Sequence, residues 1–525
     1  MRASARHLAL ACAVFPAAVL LSNPRDAALG PFSVDLAGHL WTGWSAAQGQ
    51  LPHTRLIGWP DGVDLTPVLG GWLDVGLVGL LSHAVGLILA YNLVVALYLW
   101  VAGLGGALLA RSLGASAPAA LVGGLVLQTD AFVLDHLRGG RPEQVGLGFV
   151  ALLFGATLRR ARGEDSAWLC GLSAALLVYC SWELSLLAGL SLLAMAPALG
   201  REGLRRLLPS LGLALLLAGP WALYFLGHAA GARALDEGDF AVRTAARASI
   251  LVLDWDRRPI GLGLLALLAL PWTLRPADRR LGVVAALGLG AAWILALGPS
   301  PGLRAPGDLG VGGPFSALQH LPLLGWFHWP DRLLALFSLA AAAASALAAQ
   351  RAGRAGAIVG LALLLDAGAE LRWPRGELRL SSPPALTALA ARPEGGAVLD
   401  LPYQPDRVRH LGYQLDQITH HRPILFHMVL THLGAEEGAA WRADPLLGWF
   451  VALMDATPPA PRVFGAAELA PMQDQGFDFV VLHQEGWPGD RWEMARRALE
   501  QSLGPPVLAE GESWLCWRLA APGQR

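Results

Sequence analysis

The chain has 525 residues, of which 54% are hydrophobic and only 15% charged, and its mean hydropathy is +0.46. Soluble domains carry about 25% charged residues, so a soluble globular enzyme is excluded, and the high hydrophobicity excludes intrinsic disorder. The formal net charge of −1 provides no basic field for nucleic acid. What remains is a polytopic membrane protein with a soluble appendage.

The first apolar run, His7 to Ser22, follows Arg2 and Arg6 and predicts an uncleaved first span with its N-terminus inside. A polar first loop follows, from Asn23 to Gly71. The apolar run from Val68 to Ala110 is long enough for two spans of about 20 residues. Charge decides between the two readings. If Trp72 to Ala90 lies along the membrane surface, Tyr91 to Ala110 is span two and Arg111 falls inside.

The later spans then alternate. Span three is Ser112 to Thr129, followed by an outer loop from Asp130 to Glu143. Span four, Gln144 to Leu158, ends at the inside cluster Arg159, Arg160 and Arg162. Ala167 to Cys180 and Leu184 to Leu199 form a hairpin with its tip at Ser181-Trp182-Glu183. Arg201, Arg205 and Arg206 follow, inside. Span seven is Leu207 to Leu226, and span eight, Ile260 to Leu274, ends at Arg275, Arg279 and Arg280. Spans nine, ten and eleven are Leu281 to Leu297, Leu333 to Ala349 and Gly356 to Glu370. All 39 basic residues are arginine, and every inside connection after the first span carries arginine beside the membrane. Eleven spans place the N-terminus in the cytoplasm and the C-terminus outside.

The tail from residue 372 to 525 is richer in Pro, Asp, Glu, His and Arg. Gly396 to Pro402, Gly476 to His483 and Ser513 to Leu519 read as strands, and Asp490 to Leu503 as a helix with an Asp at its N-cap. This alternation predicts a small extracytoplasmic α/β domain at 372–525, beside a transmembrane domain at 1–371 whose long first outer loop is 23–71. The four cysteines, Cys12, Cys170, Cys180 and Cys516, show no CxxC spacing and read as small packed hydrophobes.

No phosphate-binding glycine loop, HExxH, GxSxG or dinucleotide fingerprint is present. The chemistry gathers in the outer loops. In a helical Phe32 to Trp41, Asp35 and His39 stand at i and i+4 on one face. Asp35 there suits a general base or metal ligand, or else it caps an interfacial helix. Asp61 and Asp64 lie in a turn and offer cation ligands at most. Asp135, His136, Arg138, Arg141 and Glu143 supply acids, an imidazole and guanidinium groups in the second loop, or form a solvated turn. Glu183 sits at the hairpin tip, facing either a cavity or the interface. Arg332, in Trp329-Pro330-Asp331-Arg332, either clamps a phosphate or snorkels. The spans are almost free of charge, which argues against a proton-coupled carrier.

These motifs together resemble the GT-C superfamily of polytopic glycosyltransferases, which use polyprenyl-phosphate-linked sugars at the outer leaflet. The likeness rests on Asp35 after span one, the apolar segment before Ala90-Tyr91-Asn92-Leu93, Asp135-His136-Leu137-Arg138-Gly139-Gly140 with Glu143, and Pro330-Asp331-Arg332. The tail resembles a bacterial subgroup with a C-terminal extracytoplasmic domain, through Gly396 to Pro402 and Tyr413-x-x-x-Gln417-x-x-His420-x-Arg422-Pro423. The resemblance implies that Asp35 activates the acceptor or helps bind a metal, and that Asp135 or Glu143 assists. His39, His136 and Arg138 are expected to line the substrate site, with Arg332 on the lipid phosphate. It leaves room for a divalent metal ion and implies a polyprenyl-linked sugar donor and the bilayer as partners. A non-catalytic membrane protein on the same scaffold, acting in envelope glycan or lipid assembly, is the alternative.

Overall fold

The computed structural model describes residues 2–229, 279–296, 330–353, 376–403, 411–425 and 441–519, except residues 67, 68, 70, 165 and 381. Expected spans eight and eleven, and the outer loops before spans eight and ten apart from residues 330–332, lie outside the described residues. The chain divides into two compact units. The first is residues 1–31, 70–78 and 88–378, and the second is residues 32–69, 79–87 and 379–525.

The first unit is helical. Its elements are α1 (Arg2–Ser22), α4 (Leu87–Ser112), α5 (Ala117–Gln128), α6 (Ala131–Gly139), α7 (Pro142–Val145), α8 (Leu147–Ala161), α9 (Ala167–Cys180), α10 (Trp182–Ala229), α11 (Arg279–Ala296) and α12 (Ala335–Ala352). Among the described residues, four helical stretches are long and apolar enough to cross a membrane: Leu87–Ser112, Ala117–Gly139, Trp182–His228 and Arg332–Ala352. Several other expected spans are shorter apolar helices.

Small residues let these helices approach closely. A Cβ on Gly124 would fall 2.5 Å from the carbonyl oxygen of Gly103, and one on Gly105 would fall 2.3 Å from that of Gly148. So α4 packs backbone to backbone against α5 and α8, the arrangement that small residues permit in lipid. Buried amides tie the layers together. Gln128 Nε2 donates to Cys12 O at 2.8 Å and to Leu99 O at 2.9 Å, linking α5 to α1 and α4. Asn92 accepts from Leu29 N–H at 2.7 Å and donates to Ala27 O at 2.9 Å. By contrast α10 turns its leucines outward: Leu193, Leu216 and Leu223 are 72%, 73% and 74% exposed. Such a surface suits acyl chains and not water.

Two expected connections prove helical. The second outer loop folds into α6 and α7, because Asp130 accepts from Phe132 N–H at 2.9 Å and caps α6, while Gly140 (φ 73) closes it. The inside loop expected at residues 200–206 is instead part of α10, which is broken at Gly200 alone (φ 69, ψ 169). At one end of this unit the arginines bind backbone carbonyls. Arg111 donates to Ala115 O at 2.7 Å, Arg160 to Arg206 O at 2.9 Å, and Arg162 to Ser112 O. Ser112 ends α4, and a cation there satisfies a last carbonyl and the helix dipole.

The second unit begins with α2 (Val34–Ala47), the two-residue strands β1 (His53–Thr54) and β2 (Val63–Asp64), and the end of α3 (Leu73–Val85), whose first residues belong to the first unit. It continues with α13 (Pro384–Ala390), β3 (Ala397–Leu401), α14 (Leu411–His420), α15 (Pro445–Ala452), α16 (Ala466–Asp474), β4 (Phe477–His483), α17 (Arg491–Leu503), β5 (Leu508–Glu510) and β6 (Trp514–Arg518). The sheet order is β3-β4-β6-β5; β3 and β4 are parallel, and β6 runs antiparallel to both its neighbours. Strands β3 and β4 are buried almost throughout, which accounts for their continuous apolar runs. Their entry requires a glycine. A Cβ on Gly396 would fall 2.1 Å from Asp478 Oδ2, which accepts the Gly396 N–H at 2.8 Å. All four cysteines are buried and free.

Candidate functional site

In the first unit the buried polar side chains converge where α7, α9 and α10 meet. Trp72 N–H donates to Tyr179 O at 2.8 Å, which brings residues 71–74 onto the end of α9. The approach is tight: a Cβ on Gly71 would lie 2.2 Å from Cys180 O and 2.9 Å from Glu143 Cβ. Asp74 and Glu143 are both buried, and their carboxylate oxygens come within 4.8 Å of one another. Two buried carboxylates this close do not both stay charged unless a proton or a cation is shared between them.

The next residue along the chain continues the network. Gln144 Nε2 donates to Glu183 Oε2 at 2.9 Å, and Glu183 forms an ion pair with Arg332. All three are buried. Arg332 comes from the short 3-10 turn Pro330–Leu334, which leads into α12. His136 is buried, stacks edge-on against Phe132 at 4.3 Å between centroids, and lies in electrostatic range of Arg332, Arg141 and Glu143. One helix further, Asp130 accepts from Ser338 Oγ at 2.6 Å, which ties α6 to α12.

The structure therefore brings together Glu143, His136 and Arg332 from the expected set. Asp135 is placed otherwise: its side chain is 52% exposed and pairs with Arg138 at 3.7 Å. Asp74, Gln144 and Glu183 complete the buried group. Asp74 is not among the expected site residues, although a lone carboxylate in the apolar run 68–110 was a readable signal.

Asp35 and His39 belong to the second unit, on α2. Ser33 caps this helix, its side chain accepting from Leu36 N–H at 3.1 Å, and Asp35 occupies the first turn, where a carboxylate favours the dipole. The expected i, i+4 relation of Asp35 and His39 is present. Helix α2 packs on α14. Trp41 Nε1–H donates to Gln417 Oε1 at 2.6 Å, and Trp44 sits edge-on to His421 at 5.3 Å.

The buried face of α14 is polar: Tyr413, Gln414, Gln417 and His420. Tyr413 donates to Pro402 O at 3.1 Å. Arg422 N–H donates to His420 Nδ1 at 3.0 Å. The buried Arg422 guanidinium donates to the carbonyl oxygens of Leu389, Arg392, Glu394 and Gly396 and lies 4.8 Å over the Phe479 ring. The tail motif is thus a structural clamp. Beside it, His483 Nε2 lies 2.9 Å from Asp400 Oδ1 and its Nδ1 4.0 Å from Asp416 Oδ2. Burial raises Asp400 and pushes Asp416 up to about 6.

No protein-family model matches the chain, and no curated protein matches it. Solved structures do. Mycobacterial arabinofuranosyltransferase AftD superposes with a TM-score of 0.65 at 17% identity, over 98% of this chain and 40% of that one. The chain thus spans well under half of that protein's length. ArnT from Cupriavidus metallidurans, solved with undecaprenyl phosphate, matches at a TM-score of 0.53 and 12% identity, over 98% of both chains. The oligosaccharyltransferase of Archaeoglobus fulgidus, in a complex with Zn and sulfate, matches at 0.51 and 13%, over 95% of this chain and 70% of that one. At these identities the likeness is one of fold: the chain folds as these solved proteins do, which agrees with the expected GT-C resemblance.

Proposed function

We propose that the protein is an integral membrane glycosyltransferase that moves a hexose or pentose from a polyprenyl-phosphate donor to an acceptor at the outer face of the cytoplasmic membrane. The observation that carries this reading is the buried group of the first unit. It holds an acid pair, Asp74 and Glu143, and a buried arginine, Arg332, on a scaffold shared with an enzyme solved with undecaprenyl phosphate.

In this reading Asp35 accepts the proton of the acceptor hydroxyl. The hydroxyl oxygen forms a bond to the anomeric carbon as the bond to the lipid phosphate breaks. Arg332 and His136 offset the charge that develops on the departing phosphate, and His39 and Arg138 line the substrate path. Breaking the Glu183 ion pair frees the Arg332 guanidinium for the phosphate, with Glu183, itself held by Gln144, as its resting partner. The buried pair Asp74 and Glu143 fits a hard divalent cation, since both are oxygen donors and their carboxylate oxygens lie within 4.8 Å. Such an ion supplies positive charge to a phosphate oxygen. The oligosaccharyltransferase with a Zn complex supports a metal on this fold. The tail is the extracytoplasmic part of the chain.

A second reading has one observation in its favour. Arg332 is already neutralised by Glu183, which suits a non-catalytic protein in envelope assembly. The test is release of undecaprenyl phosphate by the full chain in proteoliposomes, with a panel of undecaprenyl-phosphate-linked hexoses and pentoses and a crude envelope glycan acceptor. Asp35→Asn and Glu143→Gln are expected to lower transfer on the order of 100-fold or more, and Asp135→Asn by a few-fold at most. Transfer that persists in Asp35→Asn rejects its role as base. No transfer by the wild-type chain with any donor selects the second reading.

A further inference from the structure

Gln417 spends every polar atom of its side chain on backbone or indole partners, and it is fully buried. Its Oε1 accepts from Trp41 Nε1–H at 2.6 Å. Its Nε2 donates to Leu56 O and, at 2.7 Å, to Arg422 O. One amide therefore holds α2, the chain that follows α2, and the turn after its own helix. That turn is itself pinned. His421 adopts a left-handed backbone (φ 60), and Arg422 is anchored through His420 Nδ1 and four carbonyl oxygens.

The far side of the link is equally firm. Ile424 N–H donates to Leu56 O at 2.9 Å, Trp59 N–H donates to Ile424 O at 3.2 Å, and Ile424 bridges Val398 of β3. Residues 56–59 are thus joined to the sheet of the tail. Trp41 lies two residues beyond His39 and six beyond Asp35 on the same helix. At about 1.5 Å of rise per residue, a displacement of the Trp41 end moves Asp35 as part of one short rod.

We propose that Gln417 is a positioning residue: through Trp41 it sets the placement of helix α2, and with it the alignment of Asp35 and His39 for transfer. The inference rests on the proposed role of Asp35. It assigns Gln417 of the tail motif a task in the reaction that it performs through Trp41. Alignment matters at this level, because a misplacement of about 1 Å can cost on the order of 100-fold in rate.

The test uses the full chain in detergent micelles, with two variants. Gln417→Ala removes all three contacts. Trp41→Phe removes only the indole N–H and keeps the ring in the core. Amide hydrogen exchange of residues 34–47 is read beside kcat and KM for the undecaprenyl-phosphate-linked donor that the wild type uses. Both variants are expected to speed exchange across 34–47, and to lower kcat by about 10- to 100-fold while KM stays within about twofold. The double variant is expected to be no worse than Gln417→Ala, because the two residues act as one contact. Unchanged exchange in both single variants overturns the inference. So does faster exchange with unchanged kcat in a protein that Asp35→Asn inactivates. Full transfer by Asp35→Asn overturns the proposed base instead, and the exchange data still judge the mechanical link.

Discussion

The two units bury polar groups in opposite ways. The first packs glycine and alanine faces together, and among the described residues Asp74, Glu143, Glu183 and Arg332 gather in one buried group. The second buries a polar helix face, Tyr413, Gln414, Gln417 and His420, against a clamp made by Arg422. In lipid, helix contact relies on close backbone approach, so a buried charge there marks a task. In the second unit the polar network is the packing itself, and it determines how loops without regular structure are held.

The largest expected effect breaks the clamp. Arg422→Met keeps the volume but strips hydrogen bonds from four carbonyl oxygens. The second unit is expected to lose about 4 kcal/mol of stability, seen as early proteolysis of residues 376–519 on heating while the helices of the first unit persist. Loss of both units together at one temperature would show that the contrast is false.

A smaller effect tests the glycine packing. Gly124→Ala places a methyl against Gly103 O and is expected to cost about 2 kcal/mol, read as a lower melting temperature in micelles. A neutral result would mean that α4 and α5 have room to separate.

The smallest effect is a pH dependence confined to the second unit. Burial pushes Asp416 up to about 6, above the usual carboxylate value, so its ionisation opposes folding at pH 7. That opposition disappears as pH falls through 6 towards about 4. Burial pushes His420 down to about 3, so keeping it neutral costs stability as pH falls below about 6.5. The two run in opposite senses. Around Asp416 the facing groups are His483 and Asp400, with Tyr413 and Glu485 nearby. Asp416→Asn removes the compensating gain, so its stability is expected to fall between pH 7 and 5 by about 1 kcal/mol more than that of the wild type. Parallel pH profiles would show that Asp416 is not desolvated.

Much of this architecture was legible along the chain. A helical Phe32 to Trp41 would set Asp35 and His39 on one face, and α2 is such a helix. The apolar runs at 396–402 and 476–483 predicted buried strands; both form, β4 in the middle of the sheet and β3 at its end. The runs of glycine predicted close helix contact. Other features escaped because their cause is not local. Arg201, Arg205 and Arg206 read as a loop, yet one glycine conformation at Gly200 suffices to break α10 and the arginines remain helical. The second outer loop read as a substrate-lining loop or a solvated turn, yet Asp130 and Gly140 cap a helix within it.

Composition by itself marked apolar helices long enough to cross a membrane, because the cost of burying charge in hydrocarbon keeps charge out of such runs. Local pattern determined most helices and strands, because hydrogen bonding and side-chain periodicity act over a few residues. The partnerships came from packing. Glu183 with Arg332, Asp74 with Glu143, and Gln417 with Trp41 join residues far apart in sequence. No periodicity records such pairs; they form because a buried polar group must find a partner wherever the fold brings one.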